Sequence, residues 1–407
     1  MQQHTTKSEQ IILKLLHEFR GMTALQIAQC ISSKEQPKIT QRSSIHNHLK
    51  RLKSKKLVSG KKIDSNTRTG SVYFLSSNGF NYVKDLLNIE FEKIGSGYTS
   101  KILGDSFSDL SYEVYKTPLE QLNHHLLFVD SLIAIKLNEQ LKAIQTRNSI
   151  YASRLYFQQN GQRILRPDGE IEDLESGDTF FLEIDMGTEN YNQLLAKFEN
   201  YNEYFKTLSQ SQLPMGIFFV TDSIKKAYGF NRRWMTVLSS FLSAIDAKFL
   251  ESVNLIMIPI DDFSESLAFE VNKQNLYENY HNNIFSTQTQ NKNKFLATIE
   301  HSHEYRDPNF YIYQIGKSNY QYVYISIAQQ FESLVYGGYL NFVKLANSNP
   351  QNESTKNLSK LGYSQTIFRR NTSEHLPLNF APEHIPNEIL AVLQTIQDNA
   401  KIIILND

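Results

Sequence analysis

Three carboxylates in one short stretch constrain this chain more than any other feature. Asp168 sits in a Pro167-Asp168-Gly169 turn, and about fifteen residues on two more acids alternate in the apolar run Phe180-Phe181-Leu182-Glu183-Ile184-Asp185. The apolar residues mark this run as a largely buried strand. A strand alternates its side chains between faces, so Glu183 and Asp185 point the same way. Two carboxylates on one strand face are costly unless paired, solvated or metal-bound. With Asp168 brought alongside, the three would meet as a hard cation such as Mg²⁺ requires. A plainer reading stands beside this one, since Asp168 also suits ordinary turn chemistry.

The flanking pattern supplies a scaffold. A helical pattern runs from Thr117 to about Leu141, followed by strand patterns at Ser153–Gln158, Arg163–Arg166, Glu170–Leu174 and Thr179–Asp185. A helix from Asn190 to Leu208 carries the apolar stripe Leu194, Leu195, Phe198, Tyr201 and Phe205. Met215–Thr221 and Asn254–Ile260 read as buried strands around a helix at about 223–247. Within the first helix, His124 and His125 have no second His at i+4 and no acid at i+3. That pair reads as one packed or capping and one solvated imidazole rather than a metal site.

Charge is divided unevenly. The 407 residues are neutral overall, but residues 1–85 hold 15 Lys/Arg against 5 Asp/Glu and the remainder 27 against 37. A basic segment on an acidic body is the pattern of a nucleic-acid-binding module. Helices are expected at about 6–18, capped by Thr6 or Ser8, from Thr23, and from Thr40 to about Lys55. Strand-forming runs 57–62 and 70–75 follow around a basic turn. The third helix turns Ile45, Leu49 and Leu52 inward and Arg42, Ser43, Asn47, Lys50, Arg51 and Lys53 outward.

Three helices and a hairpin, with the phrase HLKRLKSKKLVSGKK…TRTGSVYFLSSNG from His48, resemble winged helix-turn-helix DNA-binding domains. The resemblance implies that the third helix enters the major groove of double-stranded DNA and that the 61–70 wing touches phosphate or the minor groove. Gln41, Arg42, Ser44 and Asn47 are then candidates for base edges, and Lys50, Arg51, Lys61, Lys62 and Arg68 for phosphates.

The central order, with Pro-Asp before Glu-x-acid on the next strand, resembles the PD-(D/E)XK restriction-endonuclease-like core. That likeness implies a site holding one or two Mg²⁺ or Mn²⁺ ions, with Asp168 and Glu183 as ligands. Position 185 departs from the pattern, because the family usually has Lys where Asp185 stands. Lys197 on the following helix is the candidate migrated lysine, and Asp185 becomes a candidate third ligand.

The stretch RPDG…FFLEIDMGTENYNQLLAKFENYNEYF from Arg166 resembles the replication-relaxation family of plasmids and mobile elements, related to MobC-type relaxases. Glu183, Asp185, Gly187, Thr188, Glu189, Lys197 and Tyr201 carry the likeness. It implies origin recognition and strand-specific nicking. The alternative is a non-catalytic replication accessory or transcription regulator with a degenerate nuclease fold, which the Asp at position 185 favours. A protein scaffold in a mobile-element machine is the third reading.

The expected architecture is α/β, or α+β overall. It comprises a winged helix at 1–85, a linker or arm at 86–117, a nuclease-like domain at 118–262 and an α+β region of unassigned role at 263–407. In the last, Phe310–Ile315 and Tyr320–Ile327 alternate like paired strands, and 386–398 reads as a helix. His301-Ser302-His303-Glu304 lacks further ligands at tight spacing. The single cysteine, Cys30, excludes a disulfide framework. With no apolar signal segment and no membrane-spanning run, a cytoplasmic protein without membrane contact is expected. A homodimer and replication or transfer proteins are the further partners this reading allows.

Overall fold

A computed structural model describes residues 4–63, 70–87, 94–98, 110–158, 161–222, 227–250, 252–273, 294–298, 310–315, 319–329, 331–334, 363–370 and 400–405. Arg68, the His301–Glu304 cluster and the expected helix at 386–398 lie outside them.

The N-terminal module begins with helix α1 (Lys7–Phe19), whose N-cap Thr6 forms a capping box with Glu9. Arg20, at φ 60°, ends it in the left-handed conformation. Strand β1 (Met22–Thr23) leads to α2 (Ala24–Ser32), capped by Thr23 and Gln26. Helix α3 (Ile39–Ser54) starts one residue before the expected cap, Thr40. Lys38 is its N-cap, and the Gln41 side chain reaches back to the Lys38 amide at 2.8 Å, leaving Thr40 inside the first turn. Strands β2 (Val58–Lys62) and β3 (Ser71–Leu75) form an antiparallel hairpin, with β1 on the other edge of β3. Helix α4 (Ser77–Leu87) closes the module.

A short helix α5 (Tyr112–Tyr115) precedes α6 (Leu122–Leu137), which one-turn 3₁₀ segments flank at Leu119–Gln121 and Glu139–Leu141. Then come β4 (Ile144–Asn148), α7 (Ser149–Ala152), the hairpin β5 (Arg154–Gln158) and β6 (Gly161–Leu165), β7 (Gly169–Asp173) and β8 (Thr179–Asp185). Helix α8 (Tyr191–Phe205), β9 (Gly216–Thr221), α9 (Ala227–Ala244), α10 (Ala247–Leu250), β10 (Asn254–Pro259) and α11 (Ile260–Val271) complete this part. The expected domain boundary at 262/263 falls inside α11.

The central sheet runs β10-β9-β8-β7-β4, with β8, β9 and β10 parallel and β7 and β4 antiparallel to their neighbours. Helices cover both faces, as buried parallel strands require. Phe181, Ile217, Phe219, Leu255 and Met257 pack under α8 and α9 with Phe198, Tyr201, Phe205 and Trp234. Phe180, Leu182, Ile184, Phe218 and Ile256 pack under α6 and α11. The open edge of β10 is capped by residues 331–333, through Met257 N to Phe331 O and Ser333 N to Leu255 O, both 2.9 Å.

The second apolar core is continuous with the N-terminal module. Ile12, Leu16, Ile27, Leu49, Phe80, Tyr115, Leu127, Phe180 and Leu182 belong to one cluster. Polar contacts reinforce it at the α1–β1 turn. Arg20 donates to the carbonyls of Tyr115 at 2.8 Å and Lys116 at 2.9 Å, and His125 meets Gly21 O at 3.2 Å. Gln26 donates to Asp130 on α6 at 2.6 Å. His125 is thus a buried structural imidazole, and burial pushes it down to about 3.

A second sheet, β11 (Lys294–Thr298), β12 (Phe310–Ile315), β13 (Asn319–Ala328), β14 (Tyr363–Arg370) and β15 (Ala400–Leu405), pairs in chain order. β12 and β13 form the expected antiparallel pair, and β13, β14 and β15 are parallel. Among the described residues no helix is long and apolar enough to cross a membrane.

Candidate functional site

The site lies at the C-terminal end of β8. In the antiparallel β7–β8 register, Gly169 pairs with Leu182, so one step further on Asp168 stands opposite Glu183. Gly169 lets β7 lie close under α6 and beside β4. A Cβ there would sit 2.7 Å from the Phe128 ring and 3.0 Å from Arg147 O. Asp168 Oδ2 accepts from the Ile184 amide at 2.8 Å and lies 3.1 Å from His124 Nε2 on α6.

Glu183 and Asp185 point toward the same side of the sheet, as alternation requires, but under different helices. Glu183, 4 % exposed, meets α8, where Lys197 Nζ lies 3.1 Å from Oε2 and the Tyr201 hydroxyl donates to Oε1. Lys197 also reaches Glu189 at 3.0 Å. Asp185, 3 % exposed, meets α9. Arg233 takes both its oxygens, at 2.7 and 2.6 Å, and Gly187 N donates to Oδ1 at 2.9 Å. The Arg233 guanidinium also bonds the Glu189 carbonyl, which links the two ion pairs.

The electrostatics follow from enclosure. Burial, aided by the nearby Asp168 charge and opposed by Lys197, pushes the Glu183 carboxyl up to about 7. Lys197 keeps one side toward water. Burial alone would lower its ammonium, but Glu183, Glu189 and Asp168 outweigh that and raise it. Tyr201, buried beside Glu183, is held well above the usual phenol range and stays a donor. Burial would also lower His124, yet the hydrogen bond to Asp168 and the charges of Asp168 and Glu183 raise it.

Of the expected trio, Asp168 and Glu183 are brought together with Lys197, and Asp185 is drawn away to Arg233. Two members escape the sequence. His124, expected to be packed, capping or solvated, instead faces Asp168. Arg233 carries no local motif. Among the described residues no group of three or more His, Cys, Asp or Glu side chains is arranged to hold a metal ion.

On the N-terminal module, Ile45, Leu49 and Leu52 are buried as expected, and Gln41, Ser44, Asn47, Lys50 and Arg51 are exposed along α3. Lys61 and Lys62 are exposed at the end of β2. Gln41 also closes the helix start. Arg42 is half-buried and lines a groove of about 480 Å³ with Gln26, His46, Ile63 and Asp130.

A basic module fused to a sheet with paired carboxylates at one end defines a mixed helix-and-sheet protein of two joined cores. Residues 13–221 match the model of the replication-relaxation family, and the chain belongs to that family. The family points to a role in plasmid or mobile-element replication. No curated protein and no solved structure matches the chain.

Proposed function

We propose that this chain is a DNA-binding, metal-dependent nicking endonuclease of plasmid or mobile-element replication. In this reading the N-terminal module is a winged helix, and the central sheet is a PD-(D/E)XK-like nuclease core. One observation carries the proposal: Asp168 stands opposite the buried Glu183, with the Lys197 ammonium 3.1 Å from that carboxylate.

The donor set suits a hard cation. Mg²⁺ is commonly held by one or two carboxylates, with water and substrate phosphate completing its shell. Asp168 and Glu183 would hold Mg²⁺ or Mn²⁺, Glu183 through the oxygen that the partly exposed Lys197 gives up, and Asp185 would not, because the more deeply buried Arg233 grips both its oxygens in a two-point pair. When bound, such an ion polarises the phosphodiester and lowers the pKa of water. The protein's own part is positional. Lys197 would release Glu183 and place its charge where negative charge develops on the phosphate. His124, released from Asp168, would hold or move a proton. Helix α3 and the wing would fix the duplex through Lys50, Arg51, Lys61 and Lys62.

The purified chain should nick supercoiled plasmid only when Mg²⁺ or Mn²⁺ is present. Normal nicking by an Asp168→Ala, Glu183→Ala double variant would refute the assignment.

A second reading, a non-catalytic DNA-binding replication accessory, is favoured by the same ion pairs. Lys197 and Tyr201 already satisfy Glu183, and Arg233 satisfies Asp185. Calorimetric titration with Mn²⁺ separates the two. Site-specific DNA binding with no heat of metal binding would favour the accessory.

A further inference from the structure

The β5–β6 hairpin leads directly into the site, since β6 ends at Leu165 and Asp168 follows three residues later. It is clamped along the helix that carries Lys197. Asn200, at i+3 from Lys197, donates to Ile164 O at 3.3 Å and accepts from the Tyr156 hydroxyl. Glu203, at i+6, accepts from Gln158. At 1.5 Å per residue these clamps lie about 4.5 and 9 Å along α8 from the lysine.

One face of the hairpin packs inward through Tyr156 and Leu165. The other carries Leu155, Phe157 and Ile164, by the register Leu155–Ile164 and Phe157–Gln162. Ser96–Tyr98 buttresses the root of this face. Ser96 Oγ accepts from Leu155 N at 2.8 Å, and the Arg166 guanidinium stacks on Tyr98 at 4.6 Å. Toward the tip, Phe157 stands 71 % exposed. The span 154–166 contains Arg154, Arg163 and Arg166 and no acid. An exposed aromatic on an acid-free hairpin that leads into a candidate phosphodiester site has the chemistry of a base-stacking platform.

We infer that the β5–β6 hairpin is a DNA-opening pin. Phe157 stacks against a base unpaired from the duplex to one side of the scissile phosphate, and Arg166, at the root of the hairpin, holds the flanking backbone. The true substrate is then DNA with locally unstacked bases. This inference rests on the DNA-binding reading above and is independent of cleavage.

Permanganate footprinting tests it, because that reagent oxidises unstacked thymines whether or not the strand is cut. The probe is a duplex selected from a random pool on the full chain. Wild-type protein should create a reactive thymine tract. Phe157→Ala should lower that reactivity about fivefold or more while still binding the duplex, and Phe157→Trp should keep it. Because Phe157 is exposed, Phe157→Ala should melt at the wild-type temperature.

Unchanged reactivity with Phe157→Ala would overturn the inference and leave the nuclease reading standing. A change in the protein's own association state with an unchanged footprint would also overturn it, making the hairpin a self-association surface. A tract that depends on Phe157 in a protein that never nicks would support the pin and refute the nuclease. Absence of any DNA binding by the wild type would refute both.

Discussion

The Arg233 guanidinium grips the Asp185 carboxylate through two hydrogen bonds, Nε to Oδ2 at 2.7 Å and Nη2 to Oδ1 at 2.6 Å. Asp185 is buried and Arg233 nearly so. The pair ties α9 to the end of β8, so Asp185 acts as an anchor for the site's wall.

Removing one partner leaves a buried charge uncompensated. Arg233→Ala is expected to cost about 3–5 kcal/mol in urea unfolding. Asp185→Leu combined with Arg233→Met should recover most of that loss, because a well-packed apolar pair often replaces a buried ion pair without penalty. Mn²⁺ affinity of the double variant should stay near wild type. A large loss of metal binding would return Asp185 to the ligand set.

Glu183 sets a pH dependence of stability. Its carboxyl is raised from 4.5 to about 7 on folding. Such a group favours the fold fully below the unfolded pKa, and the contribution is lost as pH rises through the folded one. Wild-type stability should therefore fall between about pH 5 and pH 8 relative to Glu183→Gln, by on the order of 2 kcal/mol. Paired urea titrations at the two pH values check this. Parallel curves would contradict it.

His124 should govern metal access to Asp168. Its pKa is raised by that partner, so its proton, and with it the grip on Asp168, is lost as pH rises. Mn²⁺ affinity should climb through neutral pH in the wild type. In His124→Gln it should start higher at low pH and climb less, leaving only the Glu183 titration. Calorimetry across pH reads both curves.

On the proposed DNA-binding reading, the basic residues of α3 and β2 should appear as a salt dependence. Each phosphate that the protein ceases to neutralise lowers the slope of log affinity against log salt by about 0.9. Lys61→Ala with Lys62→Ala should reduce the slope by roughly 2 without altering sequence preference. Ser44→Ala or Asn47→Ala should alter preference and leave the slope alone. Duplex binding over a salt series distinguishes the two groups.

Much of this fold is legible in the sequence because burial writes itself as pattern. The apolar runs of β8, β9 and β10 and the stripe of α8 stand close to where periodicity puts them. Strand β4, Ile144-Gln145-Thr146-Arg147-Asn148, has one apolar residue and gives no such signal. Helix α11 goes unanticipated although Ile260, Phe263 and Leu267 fall at helical spacing, because polar sequence follows closely. Alternation shows that Glu183 and Asp185 share a face, but not that α8 lies over one and α9 over the other. His124 and Arg233 find their partners dozens of residues away, where only tertiary packing brings them.

The apolar cluster that runs from Ile12 through Leu127 to Leu182 bears on how this molecule would measure distance. Modules joined by a slack tether search for their targets independently. Here α3 and the strand that carries Glu183 and Asp185 pack on one interior, with Arg20 and Gln26 stitched into the same seam. If α3 holds a duplex, the interval from the recognised bases to any cut is a length set by side-chain packing, and enlarging or hollowing that seam would shift it.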